Sequence, residues 1–477
     1  MQATQRRLPN EMRRLVLALG LMASLGCSSG TTTPQAGSAG TASAQAGAAT
    51  GGLAGATPTA GAAGTDGPSP GGSAALGGTG AGGSAAAGAS SAGTSSAATT
   101  AGAATGGLGG GGTNAGADAG GAAGSGVVGC SSRAGATTLR EKYADCFPIG
   151  AAVDSTSYMT HAAVLKPQFN SITAENEMKF DSLQPSEGTF TYAAADKLVD
   201  FARSNDMRVR GHALVWFRQT PDWVFANASK ATLLARMKTH ITSVVQHFKG
   251  KVYAWDVVNE AMMNDGKYRT GNEADDQRSQ WYAIAGKDYI AEAFKYAHEA
   301  DPDAKLFYND YYDYIPAKQQ GIYAMLKELL DAGVPIHGVG MQCHLNIQPA
   351  TDPANQGYYQ DVAHLQDAIE LYASLGLEVQ VTELDLSLYV PGVTYTSDQF
   401  YTAATFTDEL ELAQAERYRE FFGLFRKYSS VISGVTLWGI ADDNTWLSEF
   451  SSGRKDFPLL FDGDHNPKKA YDAVMDF

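Results

Sequence analysis

The sequence predicts an α/β protein whose main domain is a (β/α)8 TIM barrel, preceded by a disordered linker rich in Gly, Ala, Ser and Thr. Past residue 137, short runs of apolar, β-branched and aromatic residues alternate with helical stretches, as in parallel sheets with crossover helices. Eight such runs occur, and eight strands close this barrel. The runs span residues 148–153, 169–174, 208–216, 252–258, 304–309, 338–343, 379–382 and 434–440.

The stretches between the runs have an apolar face of the kind that a helix buries, and Gly376 and Asp301-Pro302 mark two helix ends. Polar or aromatic residues follow nearly every run, where barrel strands present their active sites. An open doubly wound sheet is the alternative, but no glycine-rich phosphate loop follows any run. The barrel is therefore the predicted fold, with helices at residues 193–204, 289–300, 322–332, 365–375 and 413–428.

Residues 1–27 have the pattern of an export signal. Four arginines precede an apolar run at 15–25, which is too short to remain as a membrane span. The segment ends in a small residue and Cys27, as at a bacterial lipoprotein cleavage site, which predicts lipidation of Cys27. Ser24 departs from that pattern, so ordinary cleavage and free secretion is the alternative. Either route predicts an exported protein, extracellular or at the cell surface, with an outer-membrane lipoprotein as the anchored form.

Residues 28–130 consist almost wholly of Gly, Ala, Ser and Thr, with hardly a charge. Such a segment buries too little apolar surface to offset the entropy of ordering it, so we predict a disordered low-complexity linker. As a flexible coil, it would span roughly 50–60 Å and act as a tether. Residues 131–477 carry nearly all of the aromatic and charged side chains and form the predicted catalytic domain.

Cysteine usage and charge narrow the chemistry further. If Cys27 is lipidated, Cys130 and Cys146 remain as a candidate disulfide pair, while Cys343, inside an apolar run, is expected to be a buried free thiol. No Cys or His spacing indicates a metal site, and no cofactor is expected. The net charge of −15 argues against a nucleic-acid partner. We expect a monomer that contacts a membrane only through its N-terminal anchor.

Two glutamates stand at the ends of strand-like runs. Glu260 follows Asn259, and Glu383 lies two residues before Asp385 on the same side of an extended strand. Two carboxylates are the minimum needed to cleave a glycosidic bond, and a neighbouring negative charge favours keeping one of two acids protonated. A single acid there is better explained as a helix cap, but two acids within a set of seven polar strand ends favour catalysis.

Six segments together resemble glycoside hydrolase family 10, which contains endo-β-1,4-xylanases built on a (β/α)8 barrel. The resemblance covers roughly residues 137–477 and follows the order and spacing of the family. Each segment alone is a weak signal, whereas all six in order are highly specific. They are TAENEMK (173–179), GHALVW (211–216), WDVVNE (255–260), GMQCH (340–344), VTELD (381–385) and TLWG (436–439).

The resemblance implies a retaining endo-1,4-β-xylanase with Glu383 as the nucleophile and Glu260 as the acid/base, their carboxyl groups about 5–5.5 Å apart. It implies that His344 hydrogen-bonds the nucleophile, that Asp385 orients His344, and that Asn259 supports the site. The xylan-contacting residues that it implies are Glu175, Asn176, Lys179, His212, Trp216, Gln219, Tyr311, Gln342, Trp438 and Trp446.

The chain departs from the family pattern where Phe217-Arg218 replaces His-Ser and where Tyr312 replaces Asn. These changes leave the shape of the substrate subsites open. Two alternative functions also remain at this point. One is a barrel glycosidase acting on β-1,4-glucan or mannan, and the other is a cell-surface polysaccharide-binding or adhesion module without activity. The presence of both glutamates argues against the second.

Overall fold

A computed structural model describes residues 129–131, 133–274, 277–451 and 453–477. The predicted signal peptide (1–27) with Cys27, and all but the last two residues of the predicted linker (28–130), lie outside the described residues. Within those residues, eight parallel strands form a closed barrel, so the predicted fold class is confirmed. No helix of the described residues is long and apolar enough to cross a membrane.

Every neighbouring pair of barrel strands is parallel, and the last strand pairs with both the seventh and the first. This closure leaves no unpaired sheet edge. Two short strands, Val215–Trp216 and His344–Asn346, extend beside the fourth and seventh strands. The barrel strands are β1 (Ile149–Val153), β2 (Ser171–Ala174), β3 (Arg208–Gly211), β4 (Ala254–Asn259), β5 (Lys305–Asp310), β6 (Gly338–Met341), β7 (Glu378–Ser387) and β8 (Ile432–Leu437).

One main helix follows each barrel strand and covers the outside of the sheet with its apolar face. These helices are α1 (Ala162–Gln168), α2 (Ala193–Ser204), α3 (Lys230–His247), α4 (Asp288–Ala300), α5 (Pro316–Asp331), α6 (Val362–Ala373), α7 (Asp408–Lys427) and α8 (Lys469–Met475). Shorter helices are Leu139–Lys142, Ser157–Thr160, Phe180–Leu183, Gln280–Ala285 and Trp446–Phe450. Single 3-10 turns are Asp222–Val224, Pro353–Asn355, Gly357–Tyr359, Ser397–Gln399 and Asp442–Asn444.

The third predicted run, 208–216, is interrupted rather than continuous. The strand stops at Gly211, where the Trp255 ring packs so closely that an added Cβ would lie 2.2 Å from it, and the chain is extended again only at Val215–Trp216. Sequence reasoning also missed α3. Its buried Leu233, Met237 and Ile241 recur every four residues, but intervening Thr, Ser and His residues dilute the apolar pattern.

A disulfide joins Cys130 to Cys146, and Cys343 is a buried free thiol. The backbone N–H of Cys130 also donates to the Arg426 carbonyl at 3.3 Å and to Ser429 Oγ at 3.0 Å. These two hydrogen bonds hold Cys130 beside the C-terminal end of α7, and the disulfide holds it to Cys146.

Replacing both bonded cysteines, Cys130→Ser with Cys146→Ser, should lower the stability of the barrel without changing its site. A bond across a sequence separation of 16 restricts the unfolded chain enough to contribute about 3 kcal/mol. For a domain of this size, that loss corresponds to a drop of about 4 °C in Tm. Calorimetry measures it, with Cys343→Ser as the matched control at a thiol outside the bond. An unchanged Tm in the double variant would contradict the prediction.

Candidate active site

The two predicted catalytic glutamates lie at the carboxyl end of the barrel and are nearly buried. Glu260 directly follows β4 and is 9% exposed, while Glu383 lies within β7 and is 4% exposed. Glu260 has a left-handed backbone conformation with φ of 58°, and its N–H donates to the Asn309 carbonyl at 2.9 Å. The Glu383 N–H donates to the Gln342 carbonyl at 3.0 Å. The backbone of each glutamate is thus fixed by the neighbouring strand or by the residue that directly follows it.

A chain of side-chain amides connects the two carboxylates. Asn259 Nδ2 donates to Glu260 Oε1 at 3.2 Å, and Gln342 Nε2 donates to the same oxygen at 3.0 Å. Asn309 Nδ2 donates to Asn259 Oδ1 at 2.9 Å and to Glu383 Oε1 at 2.8 Å. Two amides therefore bridge from one carboxylate to the other and fix both of them toward a shared space. The separation of about 5–5.5 Å expected of a retaining pair stays a prediction.

Glu383 receives its second partner from His344. The Nε2 atom of His344 lies 3.1 Å from Glu383 Oε2, and its Nδ1 atom lies 3.0 Å from Asp385 Oδ2. Trp446 Nε1 donates to the same Asp385 oxygen at 2.7 Å. Burial alone would lower the pKa of His344, but the adjacent Asp385 and Glu383 carboxylates outweigh it and raise the pKa to about 10. At neutral pH, the ring is a cation that donates from both nitrogens.

The charge of His344 acts on the nucleophile in turn. Burial by itself raises the pKa of Glu383, but the hydrogen bond from His344 and the charges of His212 and His344 bring that pKa below its ordinary value. Glu383 is therefore held ionised, as a nucleophile must be. Because folding raises the pKa of His344, its protonation also adds to the free energy of unfolding. This contribution is present in full below pH 6.5 and is lost as the pH rises through about 10.

Replacing His344 with Gln should shift the acidic limb of the kcat/KM profile to higher pH. The substitution removes the positive charge that lowers the pKa of Glu383, so burial of that carboxyl is less opposed. Losing a hydrogen bond to a charged group should also reduce kcat by about 10- to 100-fold. His247→Gln is the control, since His247 pairs with Asp196 on the helical exterior. An acidic limb that stays in place in His344→Gln would contradict this role.

Charged groups inside the barrel support the site from below. The guanidinium of Arg210 forms a two-pronged ion pair with Asp256, and Gln380 Oε1 accepts from Arg210 Nε at 2.9 Å. Asp256 Oδ2 also lies 2.9 Å from His212 Nδ1, which orients the predicted substrate contact. Sequence reasoning gave no role to Arg210 or Asp256, and it noted Asn309 only as a polar strand end. For Arg210 and Asp256, a charged residue inside an apolar strand-like run was the available signal, because a buried charge must be paired.

One side of the site is a polar cluster of Asn176, Lys179 and Gln219 beside Trp216. Lys179 Nζ donates to Gln219 Oε1 at 2.8 Å and to Asn176 Oδ1 at 3.1 Å, and lies 5.0 Å from the centre of the Trp216 ring. Burial lowers the pKa of Lys179, while nearby carboxylates, Glu175 first among them, oppose that shift. The structure therefore brings these five predicted substrate contacts together.

Trp438 and Trp446 form an aromatic wall beside the glutamates. The Trp438 ring lies edge-on to His212, with centroids 5.4 Å apart, and edge-on to His344 at 6.3 Å. The half-buried Trp446 ring lies 4.8 Å from His344. Aromatic faces of this kind suit the apolar C–H faces of sugar rings.

Another part of the site contains Tyr311 and the residues that depart from the family pattern. Arg269 Nη2 donates to Tyr311 Oη at 2.8 Å, and its guanidinium lies 4.0 Å from the centre of the Phe217 ring. The Arg218 guanidinium lies 4.9 Å from the centre of the same ring. Tyr312 packs edge-on against Tyr311 at 4.8 Å. Phe217 thus replaces a polar group with a surface that supports Arg269.

Comparison with known proteins decides the family. A model of glycosyl hydrolase family 10 matches residues 138–477, which is most of the chain. The chain belongs to glycosyl hydrolase family 10. The resemblance inferred from the six sequence segments is thereby confirmed.

Three individual proteins match this chain over nearly their whole length. The endo-1,4-beta-xylanase of Geobacillus stearothermophilus is 46% identical over 352 residues, which cover 72% of this chain and 99% of that protein. The GH10 xylanase of Thermobacillus composti is 45% identical with a TM-score of 0.61, over 71% of this chain and 99% of that one. A mutant structure in complex with xylotriose is 42% identical with a TM-score of 0.64, and the match covers 72% of this chain and 100% of that one.

Proposed function

We propose that this family 10 protein is a retaining endo-1,4-β-xylanase that hydrolyses internal β-1,4 bonds of xylan by double displacement. The observation that carries the proposal is the pair of nearly buried glutamates joined by the amides of Asn259 and Asn309. The two carboxylates have different surroundings, because Glu260 accepts from the amides of Asn259 and Gln342, whereas Glu383 accepts from the Asn309 amide and also faces the histidine cation. Different surroundings allow two carboxyl groups to take different roles.

In the first step, Glu383 attacks the anomeric carbon while Glu260 protonates the glycosidic oxygen of the leaving sugar. The electron pair of the breaking C–O bond stays with that oxygen, and a glycosyl ester forms on Glu383. The cation of His344 favours the ionised nucleophile that this attack requires. Asn259 and Gln342 orient the Glu260 carboxyl from one side, which fixes the direction of proton transfer.

In the second step, water replaces the leaving sugar, and Glu260, now ionised, accepts a proton from it. The resulting hydroxide attacks the anomeric carbon and releases Glu383 as a carboxylate. Because both attacks occur by inversion, the product keeps the β configuration of the substrate. The same two residues therefore return to their starting protonation states at the end of each turnover.

The polar cluster of Asn176, Lys179 and Gln219 supports xylose as the sugar next to the cleavage point. The hydrogen-bonding groups are packed around Lys179, which is only 8% exposed, and they lie beside the Trp216 ring. A hexose has an exocyclic CH2OH group that such a crowded cluster would exclude. Xylose is a pentose and lacks this group.

A reducing-sugar assay on xylan, cellulose and mannan tests this assignment. We expect release of reducing ends from xylan with a rapid fall in chain length, which is the sign of internal cleavage. Hydrolysis of cellulose or mannan at the same rate as xylan would support a different barrel glycosidase instead. Absence of hydrolysis on all three polymers would support a polysaccharide-binding module.

We also propose that the protein is exported, anchored through lipidated Cys27 and active as a monomer. The arginines and the apolar run before Cys27, and the low-complexity composition of residues 28–130, support this arrangement. Mass spectrometry of the membrane fraction tests it, because the lipid-modified N-terminus should be present in the native chain and absent from Cys27→Ser. Wild-type protein found only in the soluble fraction, without lipid, would support free secretion.

A further inference from the structure

Two histidines and one aspartate, outside the proposed catalytic residues, converge on one point beside the barrel seam. His161 lies in the loop after β1, Asp443 in the loop after β8, and His465 in the turn before α8. His161 Nε2 lies 3.0 Å from Asp443 Oδ1, and His465 Nε2 lies 3.4 Å from Asp443 Oδ2. We propose that His161, Asp443 and His465 form a binding site for a divalent transition metal such as Zn2+, which links the first and last loops of the barrel.

The spacing of the ligand atoms fits tetrahedral zinc. Bonds of about 2.0–2.1 Å at tetrahedral angles place neighbouring ligand atoms about 3.3 Å apart. His161 Nε2 lies 3.0 Å from Asp443 Oδ1 and His465 Nε2 lies 3.4 Å from Asp443 Oδ2, so the two distances bracket that value but involve the two different oxygens of the carboxylate. One ligand atom from each residue lies within 4.8 Å of the others, which is wider than the tetrahedral spacing. Side-chain rotation would draw these atoms together around the ion, and three protein ligands leave the fourth position of a tetrahedral ion for water.

The donor set selects the class of metal. Ca2+ and Mg2+ prefer sites built wholly from oxygen, whereas two imidazole nitrogens with one carboxylate suit zinc and its neighbours in the first transition series. His161 is held by contacts at both ring nitrogens. Its Nδ1 lies 2.8 Å from the Thr160 hydroxyl, which also lies 3.3 Å from the Thr156 carbonyl, and its Nε2 lies 3.0 Å from Asp443 Oδ1. A bound metal would replace the proton between Nε2 and the carboxylate.

Contacts of the two neighbouring residues hold Asp443 in place in the loop after β8. Asp442, beside Asp443, pairs with buried Lys468 at 2.8 Å, and Asn444 Nδ2 donates to Asp154 Oδ2 at 3.0 Å. The backbone on either side of Asp443 is therefore fixed before any metal binds. His161 is largely buried, but the Asp443 side chain is 42% exposed, which leaves a path for the ion. Preorganised ligands with an open approach are what a metal site requires.

The position of the site gives the metal a structural role. β1 and β8 are the two strands that close the barrel, and the ion would fasten the loops that follow them to each other. The loop after β8 also carries Trp446, which donates to Asp385 behind His344. Bound metal should therefore stabilise the barrel seam and the part of the aromatic wall that contacts the nucleophile network. Sequence spacing predicted no metal site because the three ligands come from distant segments.

Zinc titration of the EDTA-treated full-length protein tests the proposal by isothermal calorimetry. We expect one equivalent of Zn2+ to bind, and Tm to rise by about 4 °C at zinc 100-fold above its dissociation constant. In His465→Asn, the affinity for Zn2+ should be lower than in the wild type by a factor of at least about ten. Asn suits that position because His465 has a φ of 69° and is only partly buried, so the variant should fold.

The matched control is His364→Asn. His364, on α6, lies 2.7 Å from Asp361, the residue that precedes this helix, but belongs to no such three-residue group among the described residues, so its variant should bind zinc as the wild type does. Co2+ provides a second measurement, since tetrahedral coordination gives intense visible absorption that should disappear in His465→Asn. Absence of saturable binding, or equal zinc affinity and Co2+ absorption in wild type and His465→Asn, would overturn the proposal.

Discussion

Replacing Glu383 with Ala should reduce kcat on an aryl xylobioside by about 10^4-fold or more, because the covalent step loses its nucleophile. Added azide should restore part of the rate by entering the space that the carboxylate leaves. Because azide then attacks from the nucleophile's side of the sugar, the product should be the α-xylobiosyl azide. Product analysis by NMR checks both the rescue and its stereochemistry.

The matched control for this experiment lies on the same strand. Glu378 begins β7 at the opposite end of the barrel and pairs with Lys305, so Glu378→Gln should keep the wild-type kcat. Circular dichroism should show that Glu383→Ala remains folded, although the loss of the Glu383 carboxylate removes one hydrogen-bond partner of His344. Appreciable xylan hydrolysis by a folded Glu383→Ala enzyme would show that the nucleophile is another residue.

Replacing Glu260 with Ala should reduce kcat on xylan by about 10^2- to 10^4-fold, because no group then protonates the leaving sugar. A dinitrophenyl xylobioside should keep a fast first step, since its leaving group needs no proton. The glycosyl-enzyme should then accumulate, because no base activates water in the second step. Azide should relieve this block and give the β-xylobiosyl azide.

The two azide products separate the roles of the glutamates by a single measurement. An α azide from Glu383→Ala and a β azide from Glu260→Ala follow from the proposed assignment. A burst of dinitrophenol followed by slow turnover in Glu260→Ala would show the accumulated intermediate. Equal loss of rate on the dinitrophenyl substrate and on xylan would contradict a role for Glu260 in acid catalysis.

The barrel could be predicted from the sequence because its signals are local. Apolar runs such as 304–309 and the helical stretch 193–204 reveal their periodicity within a few turns of chain, and both agree with the structure to within a residue. The strand-end position of Glu260 is local information as well. The extra length of β7, which continues past Glu383 to Ser387, was not predicted because two consecutive polar residues, Thr382 and Glu383, interrupt the alternation of apolar and polar residues.

The partners of the catalytic residues could not be predicted from spacing alone. Asn309 bridges toward Glu383 across 74 residues of chain, and the Arg210–Asp256 pair joins two strands that become neighbours only in the barrel. The position of Phe217 beneath Arg269 likewise depends on how two loops meet. Local patterns thus indicate which residue types stand at the strand ends, while contacts between strands determine what each one does.

The anomeric configuration of the first product tests the retaining mechanism most directly. NMR spectra taken within the first minutes of xylo-oligosaccharide hydrolysis, before mutarotation mixes the two anomers, should show the β anomer as the initial product. This result follows from two successive inversions at the same carbon, the first by Glu383 and the second by water that Glu260 activates. An initial product of α configuration would mean a single displacement by water and would contradict Glu383 as a nucleophile.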